Sequence, residues 1–311
     1  MSGGEPTDRR SRRIGLFYAF GAFGAWGVVL PLYLKMLKGV PVTEILAHRI
    51  VWGALLALVL IAALGRGRKV RRMLAWRSLV LLVMSSVLIT INWVTYIFAV
   101  TTDHIVETSL GYFMNPLVSV VLGMAVLGER LRPAQIAACV VAAAGVAVLA
   151  TASSDLPWIA LTLAFSFGVY GLVRKVVAVE SLIGVAFEAT ILTPLALGYL
   201  FWLGAQGRGT FGLGAPGIDA LLMGAGLVTA LPLIWFATAA RKLPLTTIGL
   251  LQFSSPSATF LLGILVYGER FSVAEAVTFG CIWLALLLYA ADAVMMQRRA
   301  AALLAAGARG R

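Results

Sequence analysis

The chain has 311 residues, of which 61% are hydrophobic and 12% charged, with a formal net charge of +12 and a mean hydropathy of +0.96. Soluble domains carry roughly 45–50% apolar and about 25% charged residues, so this composition excludes a water-soluble globular fold and indicates an integral membrane protein. The basic excess does not mark a nucleic-acid partner, because Lys and Arg fall in short segments between apolar runs, and Cys139 and Cys281, both inside such runs, offer neither a metal site nor a disulfide framework.

A basic tail over residues 1–13 comes first. Its end, SRRIGL (11–16), faintly resembles a twin-arginine export signal. The apolar run that follows is too long and has no clear cleavage site, so the arginines read as the positive flank of a first helix. Runs of about 20 apolar residues, enough to cross a bilayer, then occur ten times, at roughly 14–36, 44–64, 78–100, 105–127, 133–151, 156–176, 182–203, 218–240, 245–267 and 272–294. The longest connections are 65–77 and 204–217, and a tail over 295–311 closes the chain. The expected fold is an all-α polytopic bundle of ten transmembrane helices.

Lys and Arg orient it. With the N-terminus in the cytoplasm, the inner segments hold twenty of them, Arg174 and Lys175 included, against four outside: Lys35, Lys38, Arg208 and Arg270. The one remaining basic residue, Arg49, lies inside a span. This bias puts both termini in the cytoplasm.

The chain also repeats itself. LGMAVLGER (122–130) is echoed by LGILVYGER (262–270), which aligns Pro116 with Pro256, Phe113 with Phe253, and Gly128, Glu129 and Arg130 with Gly268, Glu269 and Arg270. FGAWG (23–27) matches FGVYG (167–171), which sets Glu44 against Glu188. The expected units are two five-helix repeats, 14–151 and 156–294. Five is odd, so the second must enter the membrane from the opposite side, and inverted repeats are a building principle of secondary transporters. The GER turn is expected to end the fourth helix of each repeat, with Gly left-handed and Glu and Arg at the water interface.

Three runs, EILAHR (44–49), ETSLGYFMNPLVSVVLGMAVLGER (107–130) and LAFSFGVYGLVRK (163–175), resemble the RarD-type permeases of the EamA branch of the drug/metabolite transporter superfamily. The resemblance implies a ten-helix, two-repeat permease of the bacterial inner membrane, in a family whose chloramphenicol-related label does not identify a physiological substrate.

Ionisable groups within spans are costly and mark functional candidates. Glu44 and His48 share a face at the start of the second helix, and Arg49 points about 100° away. Together they can bind an anionic or zwitterionic substrate or relay a proton; alternatively Thr43 caps the helix, Glu44 meets its dipole and Arg49 pairs locally. Glu188 lies two turns into the seventh helix. Burial there disfavours its charged form and suits proton coupling, unless an Arg or Lys on a neighbouring helix pairs with it. Glu107 is a third coupling candidate or a simple dipole partner beside His104. Asn92, Asn115 next to Pro116, and Gln252 before Pro256 are candidates to line a cavity. Among the deep aromatics Trp26, Trp93, Tyr96, Tyr112, Tyr170 and Trp235, the strongest substrate contacts are Trp26 and Tyr170, at equivalent repeat positions, and Tyr112. Packing against neighbouring glycines is their structural alternative.

Two histidines and no H-E-x-x-H, G-x-S-x-G or phosphate-binding loop argue against an enzyme or an ATPase. Scarce charge on two inverted halves favours a carrier over a channel. The sequence therefore points to a secondary active transporter, a permease or exporter of small organic metabolites or drugs working by alternating access, with proton coupling as an extension of it. The alternative is a membrane-embedded sensor or structural protein. No cofactor or metal is implied. The expected partners are a small-molecule substrate and membrane lipid, with monomer or homodimer left open.

Overall fold

Apolar runs interrupted by prolines and glycines dictate long helices with local irregularities, and that is what forms. The computed structural model describes residues 6–73, 75–102, 104–151, 158–213, 215–268 and 272–309. Among the described residues, ten helical segments are long and apolar enough to cross a membrane: Arg10–Met36, Val42–Ala63, Trp76–Ala99, Thr108–Leu127, Pro133–Ala150, Trp158–Val176, Ser181–Ala205, Pro216–Lys242, Leu245–Tyr267 and Val273–Met296, numbered here spans 1 to 10. Their mean hydropathy lies between 1.4 and 2.2, and their outward faces carry side chains such as Leu265 (77% exposed) and Phe201 (75%). Such a surface is stable only against lipid. The predicted spans agree with these to within a few residues, except that the last helix runs on to Arg309 and a short helix, Gly67–Met73, forms within the connection 65–77.

The main contacts pair span 1 with 8 and 9, span 2 with 7 and 8, span 3 with 6 and 7, span 4 with 6 and 9, and span 5 with 10. Exchanging each span for the one five places along leaves these pairings in place: 1 with 8 becomes 6 with 3, and 2 with 8 becomes 7 with 3. The halves interlock through spans 2, 3, 7 and 8.

Two interruptions follow from proline chemistry. Pro31 has no N–H to offer Gly27, and residues Ala25–Val29 widen into a π-turn in which Leu30 bonds to Ala25 instead. The freed Gly27 carbonyl accepts the Thr259 hydroxyl at 3.0 Å. Gly27 has no Cβ, which here would stand 2.6 Å from the Ser255 carbonyl oxygen, so span 9 can approach this closely. In span 9 itself, Pro256 withholds a hydrogen from Gln252, and the helix breaks at Phe253 between Leu245–Gln252 and Ser254–Tyr267. Pro116, its repeat counterpart, leaves Ile105–Leu127 unbroken.

Both GER glycines take the left-handed conformation, Gly128 at φ 65° and Gly268 at φ 63°, and each N–H returns to a carbonyl of its own helix. Arg130 is exposed. Glu129 does not stay at the water interface as expected. It turns inward and accepts the Leu245 and Thr246 amides, both at 2.8 Å, capping the N-terminus of span 9; free helix amides attract a carboxylate more strongly than a turn exposed to water does. Glu269 and Arg270 lie outside the described residues.

Candidate functional site

Where spans 2, 3, 7 and 8 meet there is a small cavity of about 20 Å³, room for a water molecule. Arg49, Ile50 and Gly53 line it from span 2, Ile89 and Trp93 from span 3, Glu188, Ala189 and Leu192 from span 7, and Thr229 and Leu233 from span 8. Close backbone approach builds it. A Cβ on Gly226 of span 8 would collide with the Trp52–Gly53 backbone of span 2, one turn from Arg49 and Thr229. Arg49 donates from Nε to the Thr229 hydroxyl at 2.8 Å, and its guanidinium carbon stands 5.7 Å from the Trp93 ring centre. Among the described residues no carboxylate lies within ion-pair distance of it.

Glu188 reaches the same cavity from the other half of the chain. Ser85 donates to its Oε1 at 2.5 Å, Arg174 Nη1 lies 3.2 Å from Oε1, and the Tyr170 hydroxyl donates to Oε2 at 3.2 Å. Arg174 is wholly buried. It fits because Gly184, one turn before Glu188, has no side chain; a Cβ there would occupy the guanidinium's place. Arg174 also donates to the Ser181 carbonyl at 3.2 Å. The ion-pair alternative for Glu188 is therefore what the geometry shows, and Arg174 is no free interfacial charge, contrary to its place among the orienting residues.

The expected Glu44–His48–Arg49 trio separates. Glu44, 1% exposed, accepts the amides of Thr210 and Phe211 at 2.7 and 3.2 Å and the Thr210 hydroxyl at 2.9 Å, clasping the span 7–8 connection to the start of span 2. His48 follows it, with its ring 4.9 Å from Phe211 and its Nδ1 accepting Trp52 Nε1 at 3.2 Å. Only Arg49 turns into the cavity. The helical angle between positions 48 and 49 is the cause.

Asn92 is also absent from the cavity wall. It donates to the Leu163 carbonyl and the Ser166 hydroxyl, both at 3.0 Å, and so ties span 3 to span 6. Asn115 and Gln252 are buried on spans 4 and 9, each with a carbonyl oxygen that has no hydrogen-bond partner, away from this cavity. Trp26 and Tyr170 do converge, as members of one aromatic cluster: Trp26 lies 5.7 Å from both Phe167 and Phe236, and Tyr170 stacks on Phe236 at 6.1 Å. Tyr112 is 41% exposed, 6.2 Å from Tyr96. The Glu107 side chain lies outside the described ones. The sequence did not single out Thr229, which completes the polar lining, or Ser85, which bonds Glu188 without lining the cavity; a lone hydroxyl in an apolar run carries no signal of its own.

Each end of the bundle is closed by polar contacts. At one end Arg66 pairs with Glu180, Arg132 pairs with Asp292, Arg241 donates to the Val179 carbonyl at 3.0 Å, and Lys175 bonds the Leu243 carbonyl at 2.5 Å and lies 3.7 Å from Glu129. At the other end the Glu44 clasp is joined by Thr43 with Tyr199 at 2.6 Å, and by Lys35, which lies 3.0 Å from the Tyr267 ring centre.

Residues 13–151 match the EamA-like transporter family model. "Protein RarD" of Streptomyces exfoliatus is 44% identical over 298 residues, covering 96% of this chain and 94% of that protein. "Protein RarD" of Salmonella typhi is 42% identical, covering 94% and 99%. A solved crystal structure superposes with a TM-score of 0.68 over 89% of this chain and 97% of that one, at 20% identity, which speaks for the fold alone.

Proposed function

Because this chain belongs to the RarD-type permeases of the drug/metabolite transporter superfamily, with an EamA-like transporter segment, we propose that it is a secondary carrier moving small organic metabolites or drugs across the inner membrane by alternating access. One observation carries the mechanism: the cavity that Arg49 and Glu188 share is walled by spans 2 and 3 from one half and 7 and 8 from the other, so relative movement of the halves reshapes it. The exchangeable span pairings support reading the halves as inverted repeats. So do the Gly128 turn, whose Glu129 joins the ion-pair end, and the Gly268 turn, whose neighbouring Tyr267 lies under Lys35. The dense basic residues at the ion-pair end favour placing it in the cytoplasm. With both ends bonded, transport requires one set of contacts to open while the other holds.

Glu188 is the proposed coupling site, a buried carboxylate shared by the cavity and Arg174. Flux in proteoliposomes tests both statements. Saturable, substrate-dependent movement stimulated by a pH gradient is expected, and Glu188→Gln is expected to abolish the stimulation. Unchanged stimulation would remove Glu188 from the coupling role. The absence of any saturable flux across a broad metabolite panel would leave the sensor or structural alternative.

A further inference from the structure

The geometry points to Arg49 as the anchor of a small, largely apolar organic anion, a hydrophobic carboxylate, whose charged end meets Arg49 at the central cavity and whose body lies in the adjoining recess. This inference names the substrate class of the carrier proposed above and rests on that reading only for transport, not for binding.

Charge comes first. Two ionisable side chains line the cavity, but they are not equivalent. Glu188 is already matched by Arg174, Ser85 and Tyr170. Arg49 has a neutral hydroxyl and an aromatic face, and no carboxylate among the described residues. A guanidinium within a bilayer span is expensive, and Thr229 engages only Nε. The fork of Nη donors, which matches a carboxylate bidentately, has no hydrogen-bond acceptor at all among the described residues. The site therefore has one uncompensated positive charge with the donor geometry an anionic group needs.

The remaining wall sets the body of the ligand. Ile50, Ile89, Trp93, Leu192 and Leu233 are apolar, and Trp93 offers an indole face beside the charge. Ile50, Trp93 and Leu192 also line a second recess of about 250 Å³ between spans 2, 3 and 7, whose open surface is apolar. Its wall includes Val94 and Leu195, 56% and 73% exposed on the outside of the bundle. An aromatic or branched aliphatic body can extend from the Arg49 anchor into that recess without meeting a free polar group, because the hydroxyls of Thr43 and Tyr199 bond each other and that of Thr90 bonds the Ser86 carbonyl. A strongly hydrated polyanion such as a sugar phosphate finds no further donors there.

Binding to the purified wild-type protein, read by Trp fluorescence and thermal shift, is the test. The probes are phenylacetate, indole-3-acetate and 4-methylpentanoate, each with its neutral primary amide. At least one acid is expected to bind about tenfold or more tighter than its amide, as a charge-assisted bond predicts. Arg49→Gln is expected to erase that preference by weakening the acid more than the amide, with Arg49→Lys between the two. Equal binding of acid and amide by wild-type protein, or no binding of any acid, overturns the inference without recourse to a variant that may not fold. An acid preference that survives in folded Arg49→Gln overturns it too. Counterflow of the same acids in proteoliposomes separates the two readings. Arg49-dependent binding without exchange keeps the site and removes the carrier; saturable exchange of other solutes, indifferent to Arg49, does the reverse.

Discussion

At the scale of single residues, the cavity shows how a charge count conceals chemistry. Arg174 and Lys175 are adjacent and read together as the basic end of a helix, yet they do different things. Lys175 reaches the Leu243 carbonyl and Glu129, whereas Arg174, one helical step away, is wholly buried against Glu188. The sequence did hold a clue, since the predicted sixth span extended to residue 176 and so contained Arg174. The partner's position was legible as well, because Glu188 lies too deep for a cap. What could not be read was the room made by Gly184, which depends on spans 6 and 7 facing each other. Removing one member of a buried pair costs about 3–5 kcal/mol, whereas replacing both by apolar residues is often nearly neutral. Thermal unfolding in detergent should accordingly show a marked loss for Glu188→Leu and for Arg174→Met singly, and recovery of most of it in the double variant. Additive losses would mean that the two side chains are not coupled.

At the scale of elements, hydropathy located all ten spans, because burial in lipid demands uninterrupted backbone hydrogen bonding over a fixed length. The irregular turns were harder to foresee. Pro31, Pro116 and Pro256 all stand inside apolar runs, but Pro31 yields a π-turn, Pro256 a break and Pro116 neither. At Gly27 the Thr259 hydroxyl takes up the freed carbonyl, and the three outcomes show that proline alone does not set the local geometry. The repeated GER phrase was legible as a glycine-capped turn, and its glutamate was not. Glu129 holds span 9 through two amides that only the fold brings near. Glu129→Ala should cost about 1–2 kcal/mol, the usual value of an N-terminal cap, while Glu129→Gln, which keeps an acceptor oxygen, should lose less. Equal losses for the two in thermal unfolding would show that the charge, and not the hydrogen bonds, matters there.

At the scale of the whole molecule, two interlocked halves place Arg49 of one beside Glu188 of the other in a single cavity between two bonded ends. The sequence indicated both residues but grouped Arg49 with Glu44 and His48, because proximity along a helix was easier to read than the face each residue presents. Alternating access requires this cavity to meet water on each side in turn. Ala189, on its wall, offers the direct measurement: Ala189→Cys in a background with Cys139→Ser and Cys281→Ser, treated in sealed membrane vesicles of either orientation with a membrane-impermeant maleimide. A carrier of the kind proposed should react from both faces, and a bound hydrophobic carboxylate should slow both reactions. Labelling confined to one face, whatever the ligand, would contradict alternating access.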